Sequence, residues 1–235
     1  MDTTIMISEV SFSRGYTSFW TEHAPWISDY VSSLNKGLVE RLEYPIEMGD
    51  DTIHRSINNI IAFTLFKNVI EKNDSDIENA FVEAKKIAVN YPRNNIESYC
   101  LSEEYKKIIQ SQCERLVRRY KGKSTEFYPQ FSGCGIMESC QGDIFYNETL
   151  VEIKAGERGI LSSDIKQIIT YCALNWLSNH PKKIKNVEFY NPRQGILWIS
   201  ELEELIMSVS NLPIEELFDQ IGKSLINMSE DIELY

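Results

Sequence analysis

Two hydrophobic periods follow one another in the second half of the chain. From Leu150 to Ala155 apolar and charged residues alternate, so in a strand Val151, Ile153 and Ala155 face one way and Glu152 and Lys154 the other. The run Asp143-Ile-Phe-Tyr ahead of it is rich in strand formers, and Asn147-Glu148 reads as a tight turn between the two. With a two-residue loop Tyr146 pairs with Thr149. Counting outward, Asp143 then falls opposite Glu152, with Cβ atoms roughly 5 Å apart. The period next lengthens to that of a helix: Ile165, Ile168, Ile169, Cys172 and Trp176 form an apolar stripe behind Ser162, Ser163 and Asp164, residues that suit an N-cap. Gln167 and Tyr171 lie four apart and share a face of that helix. Val187-Glu-Phe-Tyr and Ile196-Leu-Trp-Ile read as strands joined by the turn Asn191-Pro-Arg-Gln-Gly195.

The flanking segments carry helical spacing. Ile53 to Glu71 gathers Ile57, Ile60, Ile61, Thr64, Leu65 and Ile70; Asp76 to Asn90 follows, with Asp74 or Ser75 as its expected cap; Glu103 to Tyr120 is a third. Two more run from Ser200 to Val209 and from Pro213 to Asn227. The early aromatics Phe12, Tyr16, Phe19, Trp20, Trp26 and Tyr30 are expected in the core. The pattern predicts an α/β core with a mixed sheet flanked by helices: a helical N-terminal region over 1–95, the core over 96–200, and C-terminal helices packed on it over 201–235.

The chemistry concentrates in the hairpin. Two carboxylates facing each other across a strand pair repel unless a cation or a proton sits between them. Oxygen ligands suit Mg²⁺ or Mn²⁺, which take one or two carboxylates and leave the remaining positions to water and phosphate. The Ile153 carbonyl offers a further ligand, and Lys154 stands where it can orient a water or stabilise charge on a phosphate. An acid-x-lysine strand alone is ordinary amphipathic patterning; the Gly142-Asp143 pair at hairpin distance and the helix behind it give it weight.

Asp143, then Glu152-Ile153-Lys154, then Gln167-x-x-x-Tyr171 resembles the active-site core of the PD-(D/E)XK nuclease superfamily, in the branch with a Gln-x-x-x-Tyr helix as in RecB-type nucleases. The likeness covers roughly residues 100 to 200. It implies a restriction-endonuclease-like sheet and a nuclease dependent on Mg²⁺ or Mn²⁺, with DNA favoured over RNA. Asp143, Glu152 and the Ile153 carbonyl would bind metal, Lys154 would position the water, and Gln167 and Tyr171 would support the site or touch the nucleic acid. Members of this superfamily often carry one more acid ahead of the first strand. Glu114 and Glu138 lie in suitable stretches without distinguishing context, so the number of metals stays open. By analogy alone, restriction, repair and antiviral defence are the expected settings. Two other classes remain: a catalytically inactive nuclease-fold subunit serving as a scaffold, and a phosphohydrolase of small nucleotides.

Composition sharpens the partner question. The formal net charge is −11, and residues 201–235 hold nine acids against one lysine, leaving −3 for the first 200. Positive charge clusters at Arg115, Arg118, Arg119, Lys121 and Lys123 and again at Lys182, Lys183 and Lys185, which are the expected phosphate contacts. So few basic residues also point to a protein subunit that recruits substrate. Five irregularly spaced cysteines fit buried, reduced thiols in a cytoplasmic protein, and no apolar run is long enough to span a membrane. His23 and His54 lack metal-ligand spacing and receive no role.

Overall fold

The structure, a computed structural model, describes residues 6–47, 54–88 and 99–233, the side chains only to residue 230. Its centre is a mixed six-stranded sheet. Strands β5 (Ile144–Tyr146) and β6 (Thr149–Ile153) form the expected hairpin, with Tyr146 opposite Thr149 and Ile144 opposite Val151. Asn147 and Glu148 both take left-handed φ values, 42° and 61°, as a two-residue turn of matching twist requires. The chain then crosses through α7 (Ser162–Trp176) and returns parallel to β6 as β7 (Asn186–Asn191), which turns antiparallel into β8 (Ile196–Glu201).

Short edge strands complete the sheet: β1 (Glu40–Arg41) beside β8 and β2 (Glu126–Phe127) beside β5. A separate two-stranded ribbon pairs β3 (Gln130–Phe131) with β4 (Cys140–Gln141). At Gly195 an added Cβ would lie 2.3 Å from the Glu43 carbonyl oxygen. That close approach lets the Gly195 carbonyl accept from the Leu42 and Glu43 N–H groups and dock the edge strand.

Alternation along the central strands sends alternate side chains into two cores. On one face Leu150, Val187, Phe189 and Trp198 meet α7, the N-terminal helices α1 (Glu9–Arg14), α2 (Thr17–His23) and α3 (Ile27–Ser33), and the C-terminal helices α8 (Leu202–Ser210) and α9 (Ile214–Glu233). On the other, Ile144, Tyr146, Val151, Tyr190 and Leu197 meet α4 (Arg55–Lys72), α5 (Ile77–Ala88) and α6 (Glu103–Tyr120). The helical N-terminal region therefore divides between both faces of the sheet, a layering that its local periodicity does not encode. The expected start of α4 at Ile53 and end of α5 at Asn90 lie outside the described residues.

Several local expectations are corrected. Asp76 caps α5, accepting from the Glu78 and Asn79 N–H groups, because Asp74 is instead turned onto the Asp76 N–H. Leu161 holds the N-cap position of α7, and Asp164 serves from inside the first turn by accepting the Leu161 N–H at 2.8 Å. Trp176 ends the apolar stripe 41% exposed, its Nε1 donating to Asp219 on α9. Tyr16 and Trp26 are exposed, whereas Phe12, Phe19 and Trp20 pack together in the core. Cys113, Cys140 and Cys172 are buried, Cys134 is partly so, and Cys100 is exposed. No helix among the described residues is long and apolar enough to cross a membrane.

Candidate functional site

The β5–β6 register puts Asp143 one step beyond the Ile144–Val151 pair, on the α7 side of the sheet with Glu152. Asp143 reaches across the hairpin, its Oδ2 accepting the Ile153 N–H at 2.7 Å. Glu152 is only 5% exposed and is paired at 2.6 Å, through Oε1, with the Lys154 ammonium. Lys154 donates in turn to Gln167 Oε1 at 2.9 Å, and Gln167 Nε2 donates to the Tyr171 hydroxyl at 2.7 Å. The orientation of the Gln167 amide is set by this chain, since flipping it would place an NH₂ against the ammonium. Tyr171 is held by stacking on Phe131 of β3, ring centroids 5.3 Å apart. All five residues singled out from sequence thus lie on one face of the sheet; one hydrogen-bonded path joins Glu152, Lys154, Gln167 and Tyr171, and Asp143 is tied to the same strand through the Ile153 N–H.

The loop between β6 and α7 is clamped from both ends. Arg158 forms a two-pronged pair with Asp164, and Lys154 lies 4.0 Å from the same carboxylate. Asn35, in the π-helical segment Leu34–Leu38, donates to the Ile160 carbonyl and accepts its N–H. Gly159 permits this, because a Cβ there would sit 2.4 Å from Asn35 Oδ1. A single π turn in the N-terminal region therefore holds the site's loop.

Neither acid left open ahead of the first strand lies at the site. Glu114 and Glu138 are both exposed. Glu9, in the first turn of α1, is instead one of the acids whose charge acts on Glu152, Tyr171 and Cys140, behind burial in each case. It is placed by a parallel bridge in which Ile7 donates to the Ile136 carbonyl and accepts the Glu138 N–H. Glu138 thus contributes backbone, not its carboxylate. Nothing in the sequence near Glu9 signals this; the strand-like pairing of Ile7 with Met137 was the missing contact.

Charge in the site is out of balance. Glu9, Asp143, Glu152 and Asp164 face Lys154 and Arg158. Burial, and then the Glu152 charge, push the Asp143 carboxyl well above the usual range. Burial also raises Glu152, with Lys154 opposing and Asp164 and Glu9 reinforcing. The Lys154 ammonium is opposed by burial, but Glu152, Asp143 and Asp164 outweigh it and raise its pKa. Burial and the neighbouring acids likewise keep the Tyr171 phenol protonated. Without added positive charge the acid pair therefore favours a shared proton.

Among the described residues no three His, Cys, Asp or Glu side chains converge as a metal-holding group. The donor set still fits a magnesium-like ion, which needs only one or two carboxylates. Asp143 and Glu152 are engaged through Oδ2 and Oε1, and no hydrogen bond from the described residues reaches Oδ1 or Oε2. A divalent cation would also offset the burial, and the neighbouring negative charge, that raise both acids.

The expected phosphate contacts are mostly engaged within the protein. Arg115 and Arg118 pair with Glu43, Arg119 with Glu188, Lys182 with Glu126, and Lys183 and Lys185 with Glu148. Glu188 itself is fully buried on the opposite sheet face, where it also accepts from the Tyr120 and Tyr146 hydroxyls. Its donors satisfy it, which marks a structural centre.

Compared with protein-family models, with curated proteins and with solved structures, the chain matches none.

Proposed function

We propose that this protein is a Mg²⁺- or Mn²⁺-dependent nuclease of the PD-(D/E)XK type, with a restriction-endonuclease-like sheet, acting on DNA in preference to RNA. The observation that carries the reading is the convergence of Asp143, Glu152, Lys154, Gln167 and Tyr171 on one sheet face, the last four along one hydrogen-bonded path and Asp143 beside it through the Ile153 N–H. A scaffold has no use for two buried acids that repel each other.

Asp143 and Glu152 would hold the cation through their unengaged oxygens, with the Ile153 carbonyl as a further ligand and Glu9 reinforcing from α1. The ion supplies Lewis acidity toward water and phosphate. The protein's own groups do the rest. Lys154, kept charged by the acids, orients the attacking water and meets negative charge as it develops on the phosphate. Gln167 fixes the ammonium in place, and the protonated Tyr171 hydroxyl fixes Gln167. Were a cation held by the two acids, Lys154 would no longer be needed to neutralise Glu152 alone and its ammonium could serve the substrate phosphate.

A second reading, an inactive nuclease-fold subunit, is favoured by the lack of a three-ligand group among the described residues and by the net charge of −11. The test is to incubate the protein with circular, linear and single-stranded DNA, with RNA and with nucleotides, in Mg²⁺, Mn²⁺ or EDTA. Metal-dependent cleavage of DNA is expected. Cleavage that persists in EDTA would reject the proposed site, and release of phosphate from nucleotides alone would transfer it to small-molecule hydrolysis.

A further inference from the structure

Arg193, in the turn between β7 and β8, is 2% exposed yet poorly satisfied. Its Nη2 donates to Glu157 Oε1 at 2.6 Å, while Nε and Nη1 are buried without a hydrogen-bond partner among the described residues. Arg55, the first residue of α4, approaches the same Glu157 oxygen at 3.0 Å, and its Nε is likewise buried with no partner among the described residues. Two guanidinium groups thus share one carboxylate oxygen. Burial, then the Arg55 charge, lower the Arg193 pKa, and Glu157 only partly offsets them.

The arrangement is built rather than incidental. Asn191 Oδ1 accepts the backbone N–H groups of Arg193 and Gln194, and Arg115 donates to the carbonyls of Pro192 and Arg193. Asn191 Nδ2 donates to the Gly156 carbonyl, and the Lys154 N–H donates to the Tyr190 carbonyl. The turn is therefore stitched to the loop that leaves the strand carrying Glu152 and Lys154. Asn59 of α4 reaches the same loop through the Ala155 carbonyl.

Buried N–H groups are seldom left unpaired, and clustered guanidinium donors with too few acceptors are what a tetrahedral oxyanion satisfies. The cap over them is the side chain of Glu157, which is 53% exposed and can swing away into water. Arg115 and Arg118 also share one carboxylate, Glu43, but neither is left with a buried, unpaired nitrogen among the described residues, which sets the Arg55–Arg193 pair apart.

We propose that Arg55 and Arg193 form a phosphate-binding site, which Glu157 occupies in the free protein and which a phosphate group takes over by displacing that carboxylate. The site stands on its own geometry and needs no metal. Where the nuclease reading also holds, its occupant is a backbone phosphate of the bound nucleic acid, held at the loop that leaves β6.

The test uses inorganic phosphate in EDTA, read by calorimetric titration and by thermal melting, so it reports nothing about cleavage or metal. Wild type is expected to bind saturably. Arg55→Gln and Arg193→Gln should lose about tenfold or more in affinity, as when a charge-assisted pair of bonds is removed. Glu157→Gln should bind more tightly than wild type, because the competing charge is gone. Arg55 lies at a helix start, so its variant stays informative if Arg193→Gln fails to fold.

A short oligothymidylate with internal phosphates only then separates the sources. Its competition with inorganic phosphate assigns the site to a nucleic-acid backbone; binding of inorganic phosphate without such competition keeps the site and assigns it to a free or terminal phosphate. No phosphate binding by wild type and Glu157→Gln, or binding unchanged by Arg55→Gln, overturns the proposal.

Discussion

The Lys154 ammonium donates a 2.9 Å hydrogen bond to the Gln167 amide oxygen, tying strand β6 to helix α7 across the site. The same ammonium is 2.6 Å from Glu152, so one side chain both neutralises a buried acid and joins two elements. Lys154→Met removes both. A fully buried pair broken on one side costs ~3–5 kcal/mol; Lys154 keeps 27% exposure, so a loss of about 2 kcal/mol is expected at pH 8. The loss shrinks at pH 5, where Glu152 can take up a proton instead. Urea unfolding at the two pH values checks this.

Asp143→Asn should stabilise the metal-free protein at pH 8. An ordinary aspartate titrates near pH 4, and in the fold its pKa is raised by burial and by Glu152. A raised acid contributes stability that is fully present below the unfolded value and is lost as pH rises through the folded one. Wild type in EDTA should therefore melt at falling temperature from about pH 4 upward into the raised range. The amide introduced by Asp143→Asn still offers its oxygen to the Ile153 N–H, so the variant should show a flatter profile. Melting curves across pH 4 to 9 measure it.

Mg²⁺ or Mn²⁺ should reverse the same deficit. An ion present at a hundredfold its dissociation constant adds about 2.7 kcal/mol to the folded state. Wild type should gain melting temperature on adding either ion at pH 8, and Glu152→Gln should gain little. Glu9→Gln should weaken the ion about tenfold or more, the usual effect of losing a group that tunes a metal's ligands. Titration calorimetry gives all three values.

Glu188 offers the contrast. It is buried among Arg119, Tyr120 and Tyr146 on the far face of the sheet. Glu188→Ala strands those donors and should cost ~3–5 kcal/mol, yet leave the metal affinity of the folded fraction unchanged. Calorimetry with chemical unfolding on the same sample separates the two effects.

Much of this was legible because the signals are local. Alternation over Leu150–Ala155 and the Asn147-Glu148 turn set the register that puts Asp143 beside Glu152, and the 3.6-residue stripe of α7 carries Gln167 and Tyr171 to the same face. What stayed hidden depends on contacts between distant segments. Glu9 reaches the site through the Ile7–Met137 bridge, and Asn35 clamps Ile160 from a π turn. Nothing in Val187-Glu-Phe-Tyr marks Glu188 as buried, because a strand covered on both faces cannot be told from a half-exposed one by a single charged position. Nor does a chain of charges reveal that most of its arginines are already paired.

The most direct measurement is the single-turnover rate of Mg²⁺-dependent cleavage of end-labelled DNA by wild type and Asp143→Asn, scaled to folded protein. Since Asp143→Asn is expected to be at least as stable as metal-free wild type, lost activity cannot be laid to unfolding. A rate lower by about a hundredfold or more is expected for the loss of a metal ligand, a barrier rise of about 2.7 kcal/mol or more. Equal rates in the two proteins would contradict the assignment of this carboxylate pair as the catalytic centre.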